Sequence, residues 1–543
     1  MPQPGSIVRV RALFARHYPS ALFALVALGI FGWVSLDAVR WRSVTWEGGS
    51  DYWEHSAALH ALMQKPWHPD NPHLVSTAPS SRFGPQFLLV ALAARALHLD
   101  ALGAMALTAV LNTLLFLSSI YLFFGSYFRH RLAPLYGLLV MFFGWWQGFH
   151  YSNVYALHVF FTVASYPSTT ALGLTLLGFT LAVHLLRGEL RHPRVALGLL
   201  AAWAAAVFIV HPLTAMLSLS GAGLLAISEP KAALRLRLEA IGMLLLGLLL
   251  SRFWPYFSPW EVIRGGHGAD AGWAGDSLKQ LGAELHVKHR LHEFYQLPGL
   301  LRAFGLALVA LLALPYFLLK RERWFIGVGA LAMLLPFVIN AFVDLPLGHR
   351  FVLLAMVYLD IGVVWLLLRI TPGYPEAVSW LGQRRARIAA SLALIALFAV
   401  FTAHGVSMAR EQLASPKFYT GRESPVVRNM RNFAEFTGPD AVVLSNALLS
   451  WPLPTFGPKV LLLFHDDPLV SDEAERELYV ARFLGRATDE QRAQILAHYG
   501  VTHVLLGRES NPALLRFLAN HATVRAVGTG YRLYALDPSA KAP

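Results

Sequence analysis

Residues 83–99 read FGPQFLLVALAARALHL, and the assignment of this apolar segment decides the direction of every later span. If the segment crossed the membrane, the basic clusters of the later loops would lie outside, against the preference of Lys and Arg for cytoplasmic loops. We therefore predict that Phe83 to Leu99 forms a helix lying in or dipping into the outer leaflet.

The composition excludes an ordinary soluble enzyme. The 543 residues are 56% hydrophobic and only 14% charged, with a mean hydropathy of +0.49. So much apolar surface requires lipid as part of the solvent. The net charge of +13 comes mainly from short loops between apolar runs, so orientation in a membrane explains it and no nucleic-acid partner is predicted. The chain has no cysteine, which excludes disulfides and thiolate chemistry.

Eleven further apolar runs are long enough to cross about 30 Å of hydrocarbon. They lie near 19–39, 102–125, 132–149, 168–186, 195–210, 213–228, 238–257, 298–319, 324–343, 350–370 and 388–407. The connections that follow the even-numbered spans are basic, as in Arg187, Arg191 and Arg194. We therefore predict a polytopic α-helical protein of a bacterial inner membrane, with about eleven transmembrane helices, a cytoplasmic N-terminus and a periplasmic C-terminus.

The chain changes character after residue 407, where short apolar runs alternate with polar helices. We predict a transmembrane domain over 1–407, with a first outer loop at 40–101, and a small periplasmic α/β domain over 408–543. Thr488 is a plausible helix N-cap before Asp489 and Glu490. The predicted strands are 441–444, 460–464 and 503–506, the predicted helices are 472–483, 488–499 and 512–520, and residues 524–536 form a predicted hairpin.

The first outer loop carries acidic residues, which are scarce in this chain. Residues 46–55 read WEGGSDYWEH, and Asp51 follows a Gly-Gly pair about a dozen residues after the first span. A constrained loop there would hold a carboxylate close to the membrane face. An alternative interpretation is that Asp51 only caps a helix starting near Tyr52, with Glu54 in the capping-box position. The two interpretations are compatible.

With these features the chain resembles the GT-C superfamily of membrane glycosyltransferases, which use polyprenyl-phosphate-linked sugars. The resemblance rests on a retained first helix, a long outer loop with an early acid, an in-plane helix and a helix pair with a basic connection. It also includes Asp51 followed by an aromatic residue and His55, the residues Ser81 to Pro85 that lead into the in-plane helix, and an outward soluble tail.

The resemblance implies transfer of a sugar from a polyprenyl-phosphate-linked donor to an extracytoplasmic acceptor such as a lipid, glycan or polysaccharide. It makes Asp51 the general base, with Glu54 as second choice. The leaving phosphate needs a cation, and Arg82 and Arg350 are the candidates. For Arg350 the alternative is snorkelling to the interface. The further substrate-binding candidates are His55, His150, Tyr151 and His349; for His150 and Tyr151 the alternative is an aromatic belt.

No metal or other cofactor is predicted. The histidines of the first outer loop lack the spacing of a known ligand set, and the second outer loop lacks the acidic pair seen in metal-dependent GT-C oligosaccharyltransferases, although a divalent cation stays possible. Two other functions stay open at this point. One is a transporter or flippase, for which Asp360 in a late span is the residue to test, and the other is a non-enzymatic membrane assembly protein.

Overall fold

The computed structural model describes residues 4–41, 51–146, 151–264, 295–343, 345, 347–371, 374–377, 383–414, 425–465, 467–507, 511–528 and 530–537. The chain forms two compact units. The first, which we call the helical unit, comprises 1–37, 109–251 and 282–413. The second, which we call the mixed unit, comprises 38–108, 252–281 and 414–543.

The described part of the chain up to residue 414 is built from α-helices. Their bounds are α1 Pro4–Trp41, α2 Tyr52–Gln64, α3 Pro85–Ala96, α4 Ala101–Phe128, α5 Ala133–Phe143, α6 Leu157–Val163, α7 Pro167–Leu186, α8 Pro193–Val210, α9 Pro212–Ser228, α10 Leu234–Leu250, α11 Pro259–Ile263, α12 Leu297–Phe304, α13 Ala307–Leu312, α14 Leu314–Leu319, α15 Trp324–Asn340, α16 Phe351–Arg369 and α17 Arg384–Ala414. Short 3₁₀ turns at 251–253, 321–323 and 348–350 precede or follow several of them.

Seven helical segments within the described residues are long and apolar enough to cross a membrane, so the chain is a polytopic membrane protein. They are His17–Arg40, Ala101–Phe128, Pro167–Leu186, Pro193–Val210, Arg321–Asn340, Gly348–Arg369 and Arg385–Glu411. The other four predicted spans also contain helices, but these are shorter. Helices α5, α9 and α10 have 11, 17 and 17 residues, and the run 298–319 divides into α12, α13 and α14. The count of eleven crossings stays a prediction.

Helix α3 occupies the segment that decides the orientation. It has 12 residues and begins at Pro85. Proline is favourable there because the first residue of a helix has no partner within the helix for its N–H, which proline lacks. At about 1.5 Å per residue it is far too short to cross about 30 Å of hydrocarbon. Helix α5, in a predicted span, is equally short, so the in-plane position of 83–99 stays a prediction.

Close packing through small residues holds the helical unit together. A β-carbon at Gly247 of α10 would meet the backbone of Ala201 in α8, and one at Gly221 of α9 would meet the ring of Phe179. Small residues let helices approach closely where lipid provides no hydrophobic drive for association.

Asp360 of α16, the acid that a transport function would use, is 1% exposed and accepts a 2.8 Å hydrogen bond from the Tyr155 hydroxyl.

The mixed unit contains a five-stranded sheet made by the C-terminal residues. The strands are β1 Val442–Leu444, β2 Lys459–Val460, β3 His503–Gly507, β4 Ala522–Gly528 and β5 Tyr531–Leu536, in the order β2-β1-β3-β5-β4. The β1–β2 and β1–β3 pairs are parallel, whereas β3–β5 and β4–β5 are antiparallel. The helices of this part are α18 Pro425–Thr437, α19 Ala447–Ser450, α20 Glu473–Leu484, α21 Asp489–His498 and α22 Pro512–His521, with a 3₁₀ turn at 453–456.

The predicted elements of the C-terminal part agree with the observed ones in most places. The three helices and the hairpin form, and Thr488 caps α21 in a complete capping box with Gln491. The predicted strand 460–464 is wrong in extent, because the sheet ends at Val460 and the following residues run irregularly. Leu461 and Leu462 are apolar, which is typical of a buried strand. They are buried in the hydrophobic core but form no strand pairing.

Residues of the first outer loop belong to the same compact unit as this sheet. Leu74 forms an isolated parallel bridge with Val460, and the Val460 amide donates to the His73 carbonyl over 2.8 Å. The Lys459 ammonium donates to the Asn71 carbonyl, and the Arg476 guanidinium donates to that of Val75. Residues 71–75 thus extend the sheet at its β2 edge.

Candidate active site

Helix α2 places two carboxylates on one face. Asp51 precedes its first residue and Glu54 follows three positions later, so their side chains point the same way. Asp51 is partly exposed, with 43% of its side chain accessible, whereas Glu54 is buried. The two acids therefore lie side by side but differ in their access to solvent.

The capping interpretation of Asp51 is wrong for its side chain. Asp51 occupies the N-cap position and its carbonyl accepts from the His55 amide, but its carboxylate makes no capping hydrogen bond to the described start of α2. Its backbone is already helical at φ −54°, ψ −2°, unlike the extended conformation of a typical N-cap. The carboxylate is thus not committed to holding the helix.

Glu54 is held by two cationic groups. One carboxylate oxygen forms an ion pair with the Arg82 guanidinium. The other lies 2.7 Å from Nδ1 of His465, a residue of the C-terminal part of the chain. The same Nδ1 lies 3.5 Å from a carboxylate oxygen of Asp51, so His465 connects the two acids.

The charge on Arg82 is balanced by more than one acid. Burial acts to lower the pKa of Arg82, but the charges of Glu54 and then Asp467, together with Asp51 and Glu473, raise it above its usual range. The guanidinium, on a side chain that is 24% exposed, therefore stays charged, and its predicted role as a phosphate ligand competes with these carboxylates.

Asp467 ties the segment before Arg82 to the C-terminal part. Its buried carboxylate accepts from the Ser80 hydroxyl over 2.8 Å and from the Ser81 amide over 3.3 Å. Its own amide donates to Glu473 over 3.2 Å. These bonds position the backbone immediately before Arg82 and so help to aim its guanidinium at Glu54.

The acids around His465 favour its protonated form. Burial acts to lower the pKa of His465, but the hydrogen bond and charge of Glu54, together with the charge of Asp51, raise it above 6.5 against the opposing charge of Arg82. Its ring meets those of Trp451 and Phe464 edge-on at 5.0 and 4.9 Å, which fixes its orientation. The His465 ring is thus held between a buried acid and a partly exposed one.

A small cavity opens beside these groups, lined wholly by residues of the mixed unit. Its polar lining includes Glu54, Arg82, His465 and Asp467. Burial first, and then the charges of Arg82, Lys459 and His55, lower the pKa of His73 well below its ordinary value, so its ring in the cavity wall is neutral.

Among the described residues, Asp51, Glu54 and His465 could hold a metal ion. Each offers one ligand atom, and these atoms lie within 4.8 Å of one another. Arg82 and His465 already contact both carboxylate oxygens of Glu54, so a divalent cation would have to separate Arg82 from Glu54 or replace the proton between Glu54 and His465. The arrangement fits ion pairs better than a metal, and the absence of a metal cofactor stays a prediction.

The structure brings together only some of the predicted site residues. Asp51, Glu54 and Arg82 form one cluster. His55 is buried with its ring 5.3 Å from that of Phe87 in α3, and it does not line the described cavity.

The remaining predicted residues belong to the helical unit or lie outside the described residues. The Arg350 guanidinium stacks over the Tyr151 ring at 5.4 Å, and the His349 ring lies 5.7 Å from that same ring. This cation–π contact gives a reason, other than snorkelling, for an arginine at the start of α16. His150 lies outside the described residues.

His465 and Asp467 are site residues that the sequence did not predict. A signal was present, because both follow directly on an apolar run read as a strand of the α/β domain. In such domains polar residues just beyond the carboxyl end of a parallel strand are a usual place for a site. The tail therefore contributes residues to the cluster around Asp51.

Comparison with known proteins supports the fold directly. No protein-family model and no curated protein matches the chain. Among solved structures, apo ArnT from Cupriavidus metallidurans superposes with a TM-score of 0.58 at 13% identity, over 97% of this chain and all of that one. A mycobacterial arabinofuranosyltransferase AftD gives a TM-score of 0.55 at 15% identity, over 96% of this chain and 41% of that one.

The chain has the GT-C fold. A superposition along the whole of both chains, C-terminal part included, means that the mixed unit belongs to this fold and is not an unrelated addition. At 13–15% identity the likeness is one of architecture, and the GT-C fold leaves the chemistry to be argued from the cluster around Asp51.

Proposed function

We propose that this GT-C protein transfers a sugar from a polyprenyl-phosphate-linked donor to an acceptor on the extracytoplasmic side of a bacterial inner membrane, with Asp51 as the general base. The observation that carries the proposal is the contrast between two neighbouring acids. Glu54 is buried and saturated by Arg82 and His465, whereas the Asp51 carboxylate is accessible and makes no capping bond.

In this reaction an acceptor hydroxyl attacks the anomeric carbon of the donor. Asp51 takes the hydroxyl proton as the new glycosidic bond forms. The bond from the anomeric carbon to the phosphate oxygen breaks, and the polyprenyl phosphate leaves with the electron pair. Nδ1 of His465 lies 3.5 Å from a carboxylate oxygen of Asp51, so a protonated His465 would attract that carboxylate.

The leaving phosphate needs a positive partner, and the proposal retains Arg82 and Arg350 in this role. Arg82 already neutralises Glu54, so its contribution to phosphate binding is limited by the surrounding acids. Arg350 belongs to the helical unit, where its guanidinium lies 5.4 Å from the centre of the Tyr151 ring, and its role as a phosphate ligand stays a prediction. The polyprenyl-phosphate-linked sugar, the acceptor and membrane lipid are the proposed partners.

The Asp51→Asn variant tests the proposal. Purified protein in detergent is supplied with a panel of radiolabelled polyprenyl-phosphate sugars and a membrane extract as acceptor. Loss of a general base costs roughly 10²- to 10⁴-fold in rate, so we expect kcat to fall by that factor. The melting temperature should stay close to that of the wild type, because the Asp51 side chain caps no helix.

An exposed acid of the C-terminal part supplies the matched control. Glu490→Gln also removes one carboxylate, at a site in the first turn of α21, and should leave the rate unchanged. Full activity of Asp51→Asn with each accepted donor would show that Asp51 is not the base. Absence of transfer by the wild type with the whole panel would favour the assembly or transport alternatives.

A further inference from the structure

The cavity beside Glu54 and Arg82 is lined by buried polar atoms that have no hydrogen-bond partner among the residues the structure describes. They are Ser450 Oγ, Trp451 Nε1, His73 Nε2 and Arg82 Nε. Ser450, Trp451 and His73 are 0%, 4% and 4% exposed. A buried polar group without a partner costs about 1–3 kcal/mol, so four such atoms around one cavity call for a ligand.

The chemistry of these atoms restricts the group that fits. Trp451 Nε1 and Arg82 Nε are donors only, whereas Ser450 Oγ and the neutral His73 ring can donate or accept. The same wall carries the carboxylates of Glu54 and Asp467, which already contact Arg82, His465, Ser80 and Ser81. A matching group must therefore accept from the two N–H donors without adding a negative charge beside these carboxylates.

A hydroxyl meets this requirement, and charged groups do not. A carboxylate or phosphate would accept from Trp451 and Arg82 but would be repelled by Glu54 and Asp467. An ammonium would donate to the acids but offer nothing to the two obligate donors. The ring of Trp451 is stacked on that of Phe464, with ring centroids 4.0 Å apart and an angle of 13° between the planes. It adds an apolar surface of the kind that sugar C–H groups contact.

We propose that this cavity is a subsite for a hydroxyl or hydroxymethyl group of a neutral sugar, bound by Ser450, Trp451 and His73. The inference rests on the proposed function, because it assumes that the substrate is a sugar. It adds that the part of the sugar that enters this cavity is uncharged. Because the cavity is small, one exocyclic group enters it while the ring stays outside.

A matched pair of variants tests whether these atoms are held for a ligand. Ser450 and Ser445 are both fully buried, but the Ser445 hydroxyl donates to the Leu505 carbonyl over 2.7 Å, whereas Ser450 Oγ has no partner among the described residues. Ser450→Ala should leave the melting temperature equal or higher, and Ser445→Ala should lower it.

Binding is measured separately, by saturation-transfer NMR on the full chain in detergent. The probes are methyl glycosides of glucose, galactose, mannose and arabinose, with glucuronic acid as the acidic comparison. At least one neutral glycoside should bind more tightly than glucuronic acid. Its dissociation constant should rise roughly threefold to tenfold in Ser450→Ala and Trp451→Phe, the cost of about one hydrogen bond.

Three results would overturn the inference. They are binding of glucuronic acid as tight as that of any neutral glycoside, absence of binding by all the glycosides, and a fall in melting temperature in Ser450→Ala equal to that in Ser445→Ala. The last would show that Ser450 has a partner in the unliganded protein. Sugar binding without transfer would contradict the proposed function and leave this subsite standing, so the two failures are distinguishable.

Discussion

Glu54 is 3% exposed and carries a carboxylate, which no protein buries without compensation. Arg82 and His465 provide that compensation from two distant parts of the sequence. The ion pair is thus part of what holds the first outer loop and the C-terminal residues in one unit. It also leaves Asp51 as the accessible acid of the pair.

Removing one partner of this ion pair should be costly. Arg82→Leu leaves Glu54 buried against His465 alone, and we expect a loss of about 3 kcal/mol in unfolding free energy. The double variant Glu54→Leu, Arg82→Leu should lose less than Arg82→Leu alone, because it no longer buries the Glu54 carboxylate without its arginine. Denaturant titration of the wild type, both single variants and the double variant measures the coupling, and strict additivity would contradict the pairing.

The raised pKa of His465 makes stability depend on pH. A group whose pKa is higher in the folded than in the unfolded protein stabilises fully below its unfolded value, and this contribution is lost as pH rises through the folded value. The melting temperature should therefore fall as pH rises above about 6.5, the ordinary value of histidine. His465→Gln should flatten this part of the curve. An unchanged slope in the variant would assign it to another group.

At the scale of the elements, the sheet is extended by residues from a distant part of the chain. The bridge of Leu74 to Val460 and the bonds of Asp467 to Ser80 and Ser81 connect the first outer loop to the C-terminal residues. The predicted outer loop is therefore folded structure for much of its described length. Its order depends on elements that come almost 400 residues later.

The Asp467→Asn variant tests this dependence. An amide in place of the carboxylate keeps one acceptor but removes the charge that also stabilises Arg82, so we expect a loss of about 1–3 kcal/mol. Limited proteolysis should show faster cleavage within residues 71–82 than in the wild type. The exposed acid Glu490, changed to Gln, is the control, and equal cleavage rates in the two variants would contradict the anchoring role.

At the scale of the whole molecule, the orientation in the membrane is still a prediction. The chain has no cysteine, so single cysteines report it cleanly. Glu490→Cys should react with a membrane-impermeant maleimide in spheroplasts, because the C-terminal domain is predicted to be periplasmic. Arg191→Cys, in a basic connection, should react only after lysis. The reverse pattern would mean that the segment 83–99 crosses the membrane after all.

The order of residues along the chain predicts the polytopic helical fold and most elements of the C-terminal part, which the structure confirms, and it predicts an in-plane position for 83–99, which is still untested. These follow from composition, apolar run length and charge placement, which are local properties. The sequence also predicts Asp51, Glu54 and Arg82 as candidate site residues within the first outer loop. Only the tertiary structure decided that Glu54 is buried, that Arg82 is its partner and that His465 and Asp467 complete the cluster. The pairing of residues about 400 positions apart has no signature in local periodicity, since it depends on how the C-terminal sheet and the first outer loop come together.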